Sequence, residues 1–325
     1  MAVVEEPRAP AAGGGKRLSR GSGPGVHWYR QKWLHLVVGL AVAVLTVAFA
    51  GERAASGVRA GIDHRLVDAG AGADAGLVDV EAEQLSAARA VAFTSGVSGA
   101  LAHLDGPGLS RLVTPIQANS TVPMVDVVEP DGRVVLAVRA KGAPAPVASR
   151  AGLGLLKQAL RNARGARGGR YTALVIFRSG PTLTTISPIM NGRVAVGAVL
   201  AMTPLADVLG RLSQEVRVQL TAYDAAGEPV ATTATFDPRP LGEADARSLI
   251  GGAAIKTRSV TKGYREKDGR LVVDHAAEAV LGVSMVDDSA ATGRAVSIYA
   301  AIGLLCTVAI LAGFWARFTR DRPRR

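Results

Sequence analysis

Few residues of this chain stand at spacings that catalysis requires. Ser259-Val260-Thr261-Lys262 matches the Ser-x-x-Lys pattern of enzymes with an acylated serine. That pattern has to open a helix. Here it falls in a strand-like run, and neither Ser-Asp-Asn nor Lys-Thr-Gly accompanies it. The five histidines are dispersed: His27 and His35 lie in or before an apolar segment, and His64, His103 and His275 show no metal-ligand spacing. Gly13-Gly14-Gly15-Lys16 lacks the five-residue opening and the Ser/Thr of a phosphate loop. Gly152-Leu153-Gly154 follows no strand and has no third glycine. The sequence points away from catalysis, from a metal site and from a bound cofactor.

Binding chemistry is better represented. Between Arg150 and Ile189 stand Arg150, Arg170, Tyr171, Arg178, Thr182, Thr184 and Thr185. A guanidinium holds a carboxylate through two parallel hydrogen bonds, and a Tyr or Thr hydroxyl orients the rest of a small acid. The same residues admit a plainer role, in which Arg161, Arg164, Arg167 and Arg170 solvate a loop and alternating threonines line the outer face of a strand. Arg150, Arg170, Tyr171, Arg178 and Thr184 are the candidate ligand-binding residues.

The elements that must position them are helices and strands in turn. Residues 52–104 suit a helix. Val58, Ile62 and Leu66 recur every four positions, and Leu77, Val80, Gln84, Ala88 and Val91 continue the stripe. This stripe suits a parallel homodimer or, equally, packing on the chain's own sheet. Three glycines between 70 and 76, each costing about 1 kcal/mol relative to alanine, are expected to break or loosen the helix. From Thr121 the period shifts to two. Met124–Glu129 and Arg133–Val138 read as a hairpin through Pro130-Asp131-Gly132. A helix over 152–163 follows, then strands over 171–177, 182–186 and 193–202, and an amphipathic helix over 204–216. The order then repeats: strands over 216–223 and 229–233, a helix over 241–250, and strands over 264–266, 270–275 and 279–286, with Lys267-Asp268-Gly269 as a turn. Two α+β modules in tandem account for the repetition.

Two apolar segments flank the modules. Ala295–Ala316 has 22 residues and no charge, and Trp33–Ala50 has 18 with only His35 ionisable. Each is long enough to cross a hydrocarbon core of about 30 Å. Residues 1–32 carry +4 and residues 317–325 carry +4, which leaves +3 of the chain's +11 for the 244 residues between the segments. Basic flanks stay inside, so both termini are expected in the cytoplasm and residues 51–294 outside the inner membrane. Trp28, Trp33 and Trp315 then fall at the inner headgroup layer. Because the excess charge flanks the membrane segments, a pI of about 10.4 does not argue for nucleic acid. Ala48-Phe49-Ala50 resembles a signal-peptide cleavage site, although the long leading region favours a retained span. The single cysteine, Cys306, lies in the second segment, so the outer domain has no disulfide. Ala300, Gly303, Ala309 and Gly313 in that segment permit close approach of a partner helix.

The membrane-leaving helix, the Asp131-Gly132 hairpin, the strand Val194–Met202 with Pro204-Leu205-Ala206-Asp207 after it, and the second hairpin Tyr223-Asp224…Gly227 carry a resemblance. Over about residues 52–290 the chain resembles the extracytoplasmic double Cache, PAS-like sensor domains of bacterial chemoreceptors, histidine kinases and membrane cyclases. The resemblance implies a small-ligand pocket in a membrane-distal module and a second module nearer the membrane. It divides the chain into a disordered cytoplasmic tail (1–32), a first span (33–50), a helical region (51–120), a distal module with linker helix (121–215), a proximal module (216–294), a second span (295–316) and a basic tail (317–325). Amino-acid-sensing members carry a Tyr/Arg/Trp/Asp signature. No Trp lies within 51–294, so amino-acid specificity does not carry over. Sensors of this architecture continue into a signalling domain after the second span, where this sequence has a short basic tail. A separate membrane signalling partner is therefore expected or, alternatively, an envelope scaffold that binds another protein.

Overall fold

The computed structural model describes residues 25–163, 171–254, 256–261 and 263–320. Two units make up the chain, one of residues 55–292 and one of residues 1–54 with 293–325.

The first helix, α1 (Gly25–Ala92), runs unbroken through the glycines at 70–76. The expected break is absent because those glycines serve a close approach. A Cβ at Gly76 would lie 2.5 Å from Leu212 Cδ2, and one at Gly72 would lie 2.9 Å from Val216 Cγ1. Both neighbours belong to the helix Leu205–Val216, which presses against α1, and the burial there offsets the weak helix propensity. The stripe Ile62, Leu66, Leu77, Val80, Gln84, Ala88 and Val91 is buried, and its apolar members pack on the chain's own sheets.

After α1 come two short helices, α2 (Val97–Ala102) and α3 (Gly106–Ala118). Asp105 caps α3 by accepting the Gly108 N–H at 2.9 Å. The first module then runs β1 (Met124–Val128), β2 (Val134–Arg139), α4 (Gly154–Asn162), β3 (Tyr171–Phe177), β4 (Gly180–Asn191) and β5 (Val194–Pro204). The linker helix is α5 (Leu205–Val216). The second module runs β6 (Gln219–Tyr223), β7 (Pro229–Thr232), α6 (Glu243–Ile250), β8 (Lys256–Thr261), β9 (Tyr264–Val273) and β10 (Ala276–Val286), and α7 (Ser289–Arg320) follows. The sheet orders are β2-β1-β5-β4-β3 and β7-β6-β10-β9-β8. They are the same order, read from the first strand of each module, so the repetition in sequence is a repetition in topology.

β9 departs from expectation. Lys267, Asp268 and Gly269 do not turn; they pair with Val283, Gly282 and Leu281 inside one ten-residue strand. The turn falls instead at Asp274-His275, both with left-handed backbones (φ 47° and 67°), as a two-residue hairpin requires. Glu266 and Asp268 point to the buried side of that strand, whereas a turn there would have placed them in water.

Strand alternation gives each sheet two covered faces. In the first sheet Val125, Val127, Val199 and Ala201 pack on α1–α3, while Met124, Val128, Leu200 and Met202 face α4. In the second sheet Leu220, Ala222, Leu281 and Val283 pack on α1 and α5, and Leu183 from β4 joins that cluster. One core therefore spans the joint between the modules.

The other unit holds the apolar ends of α1 and α7. Among the described residues, two helices are long and apolar enough to cross a membrane. Val37, Leu45 and Phe49 in α1 and Tyr299, Leu305 and Ile310 in α7 are each more than half exposed, a surface suited to hydrocarbon. Thr46 and Thr307 donate their hydroxyls to the carbonyls of Val42 and Gly303, at 2.8 and 2.9 Å, which satisfies them within their own helix.

Candidate functional site

The strand β1 places one acid, Asp126, among four apolar residues, and all five are buried. A carboxylate without water needs a cation close by. Alternation turns Asp126 to the face that α4 covers, and two arginines meet it there. Arg150, just before α4, donates from Nε at 2.9 Å and Nη2 at 2.7 Å to Asp126 Oδ2. Arg139, the last residue of β2, sets Nη2 2.5 Å from Oδ1 and donates from Nη1 to the Val138 carbonyl at 2.9 Å. The Arg150 guanidinium also lies 4.4 Å from the centre of the Phe177 ring. The hairpin turn fixes Arg150 from behind. Gly132, at φ +90°, accepts the Arg150 N–H at 2.7 Å, and a Cβ there would strike the Ala151 backbone at 2.5 Å.

The two arginines of this ion cluster form part of the wall of a cavity of about 730 Å³. Arg139, Arg150 and Arg178 supply its charge, and Met124, Leu153, Phe177 and Met202 supply apolar surface. Val147 and the largely exposed Ile176 also line it, at the solvent side. Three arginines against one aspartate leave a net charge of +2. Arg139 Nε and Nη2 are buried without a well-aligned acceptor among the described residues. Such a site offers an organic anion two things: guanidinium donors for its carboxylate and apolar wall for its carbon chain.

The structure brings Arg150 and Arg178 together in this lining. Tyr171 and Thr184 lie deeper on the same sheet face, Tyr171 within the apolar core and Thr184 fully buried with its hydroxyl on the Thr182 carbonyl at 3.4 Å. Thr182 is buried too, and Thr185 bonds Gln84 of α1 and Thr172 of β3, on the opposite face. Arg170 lies outside the described residues. Sequence reasoning passed over Asp126 and Arg139. The signal for Asp126 was present, since a lone acid inside an otherwise apolar strand has to be paired.

The corresponding face of the second sheet carries a packed polar cluster. Glu266 accepts from Tyr223 Oη at 3.0 Å, Ser284 Oγ at 2.7 Å and Arg258 Nη2 at 2.6 Å. Arg258 Nε stands 3.0 Å from Asp268, and the guanidinium lies 5.2 Å from the Tyr223 ring centre. Gly282 makes room: a Cβ there would lie 2.7 Å from the Glu266 carboxyl carbon. One arginine serves two fully buried carboxyls. Burial, and then the charge of Glu266, push Asp268 up to about 8, and the same causes push the Tyr223 phenol up. Ser259 sits in β8 with its hydroxyl 3.5 Å from the Tyr264 carbonyl, and Lys262 lies outside the described residues. No group of three or more His, Cys, Asp or Glu side chains is placed to hold a metal among the described residues.

No protein-family model matches the chain, and no curated protein sequence matches it either. It is similar to several solved structures. The sensory domain of the Campylobacter jejuni chemoreceptor Tlp3 (CcmL) is 13% identical at a TM-score of 0.49, covering 74% of this chain and 99% of that one. The ligand-binding domain of the same receptor in complex with L-valine is 14% identical at 0.47, covering 73% and 97%. The domain of a putative sensory box/GGDEF family protein from Vibrio parahaemolyticus is 9% identical at 0.48, covering 73% and 99%. These neighbours are sensory domains, the kind of domain that the hairpins and the repeated module order of this sequence resemble.

Proposed function

We propose that this protein is a membrane-anchored extracytoplasmic sensor that binds a small organic carboxylate in its first module. The observation that carries the proposal is the 730 Å³ cavity, in which three arginines share the lining with apolar side chains while the one aspartate that pairs with two of them is buried behind the wall. A carboxylate enters as the counter-charge that the lining lacks, and its carbon chain meets Met124, Met202 and Phe177. The protein acts by binding and not by catalysis. Residues 51–294 lie outside the inner membrane, with both termini in the cytoplasm, in keeping with the basic flanks of the two apolar helices. Occupancy is passed through those helices to a separate membrane signalling protein. Gly303 and Gly313 on α7 have open space where a Cβ would stand, which suits close approach of a partner helix.

A thermal-shift screen of the purified chain against small carboxylates, amines and sugars tests this. Carboxylates should raise the midpoint by mass action, with about 2.7 kcal/mol of stabilisation at a hundredfold excess over Kd. Amines and sugars should not. A second role, an envelope scaffold that binds another protein, is favoured by one observation, that Arg150 is already held by Asp126. Crosslinking and pull-down separate the two, since a scaffold brings down the same partner whatever solute is present.

A further inference from the structure

β3 is an edge strand of the first sheet, and its Val175, Ile176 and Phe177 line the cavity. The N–H groups of Thr172 and Leu174 point outward from that edge, where an unpartnered strand would leave them to water. Both find carboxylates of the second module. Leu174 N–H donates to Glu278 Oε2, in β10, and Thr172 N–H donates to Asp274 Oδ2 at 3.5 Å. Asp274 sits in the left-handed β9–β10 turn and donates its own N–H to Glu81 of α1 at 3.2 Å. The Leu174 side chain packs into the core shared with α1 and the second sheet. The second module therefore grips β3 one residue away from the cavity wall.

The other end of β10 leads to α7. β10 is the central strand of its sheet, bonded to β6 on one side and β9 on the other, so it moves as part of a rigid ladder. At its end Asp287 N–H donates to the Gly263 carbonyl at 2.8 Å, and the Asp287 side chain accepts the N–H of Ser289, the first residue of α7, at 3.0 Å. We propose that Glu278, assisted by Asp274, is a positioning residue for the ligand cavity and the point at which occupancy passes to β10 and the start of α7. This rests on the cavity being the ligand site. An N–H at a strand edge can hold or release a single carboxylate without disturbing either core, which suits a reversible contact.

Hydrogen–deuterium exchange on the full chain in lipid nanodiscs tests the inference. Val175→Trp fills the cavity without any ligand and should change exchange over residues 280–292 by about fivefold, the low end of coupling between sites. In a Glu278→Ala background that response should vanish. In Glu278→Gln, which keeps a carbonyl acceptor for Leu174 N–H, it should persist, an outcome that a merely structural role for the side chain does not give. Should Glu278→Ala fail to protect residues 84–92 of α1, Glu278→Asp replaces it, since the shorter side chain withdraws the acceptor while keeping the charge. A β10 response to Val175→Trp of equal size in all backgrounds, or in none, overturns the coupling. A parallel arm with isovalerate at about 10 mM reads the cavity itself. Absent protection at 175–179 there counts against the ligand class, separately from the coupling.

Discussion

Asp126, fully buried beside the cavity, pairs with two guanidinium groups. Asp126→Ala should cost about 3–5 kcal/mol in chemical unfolding, since it leaves buried cations unpaired. Arg178→Ala breaks no ion pair among the described residues and should leave stability within about 0.5 kcal/mol while weakening carboxylate binding. At this scale the sequence was half legible. Arg150 and Arg178 stood out as anion-binding types, but Tyr171 and Thr184 could not be told from core residues, because a hydroxyl on a strand looks the same whichever way it faces. The buried pair in the second module adds a pH dependence. Asp268 is raised from 3.8 to about 8, so the folded state binds the proton more tightly than the unfolded chain. The stability that Asp268 contributes is fully present below about pH 4 and is lost as pH rises toward 8. Urea unfolding between pH 5 and pH 8 should show that loss, and Asp268→Asn should flatten it.

Among the elements, the glycines of α1 show why propensity misled. Gly72 and Gly76 cost helix stability locally, yet they admit Val216 and Leu212 of α5. Gly76→Ala should destabilise by about 1–3 kcal/mol through overpacking. Gly61→Ala, with nothing within 4 Å of its Cβ, should stabilise by up to about 1 kcal/mol. Thermal unfolding of the two variants side by side separates packing from propensity. The misplaced turn in β9 has a similar origin. Asp268-Gly269 carries the local signal of a hairpin, but only the fold reveals that Gly282 has been left bare so that the carboxyls can lie inside. Asp274-His275, the actual turn, has no glycine and gave no such signal.

For the whole molecule, the tandem modules were visible in the chain because each repeats a hairpin, a helix and three strands. The joint between them was not, since it depends on Leu183 and Leu174 entering a neighbour's core and on an edge strand finding two acids. The proposed orientation has its own check. Val147→Cys in a Cys306→Ser background should react with an impermeant maleimide added outside intact cells, and labelling only after lysis would reverse the topology. The account as a whole stands on the cavity. Calorimetric titration of the full chain with short-chain carboxylates and their matching amides tests it most directly. The carboxylates should bind saturably, the amides should not, and Arg139→Ala or Arg178→Ala should weaken binding about tenfold, as the loss of one charge-assisted contact does. Equal binding of acids and amides, or carboxylate binding indifferent to both substitutions, would contradict it.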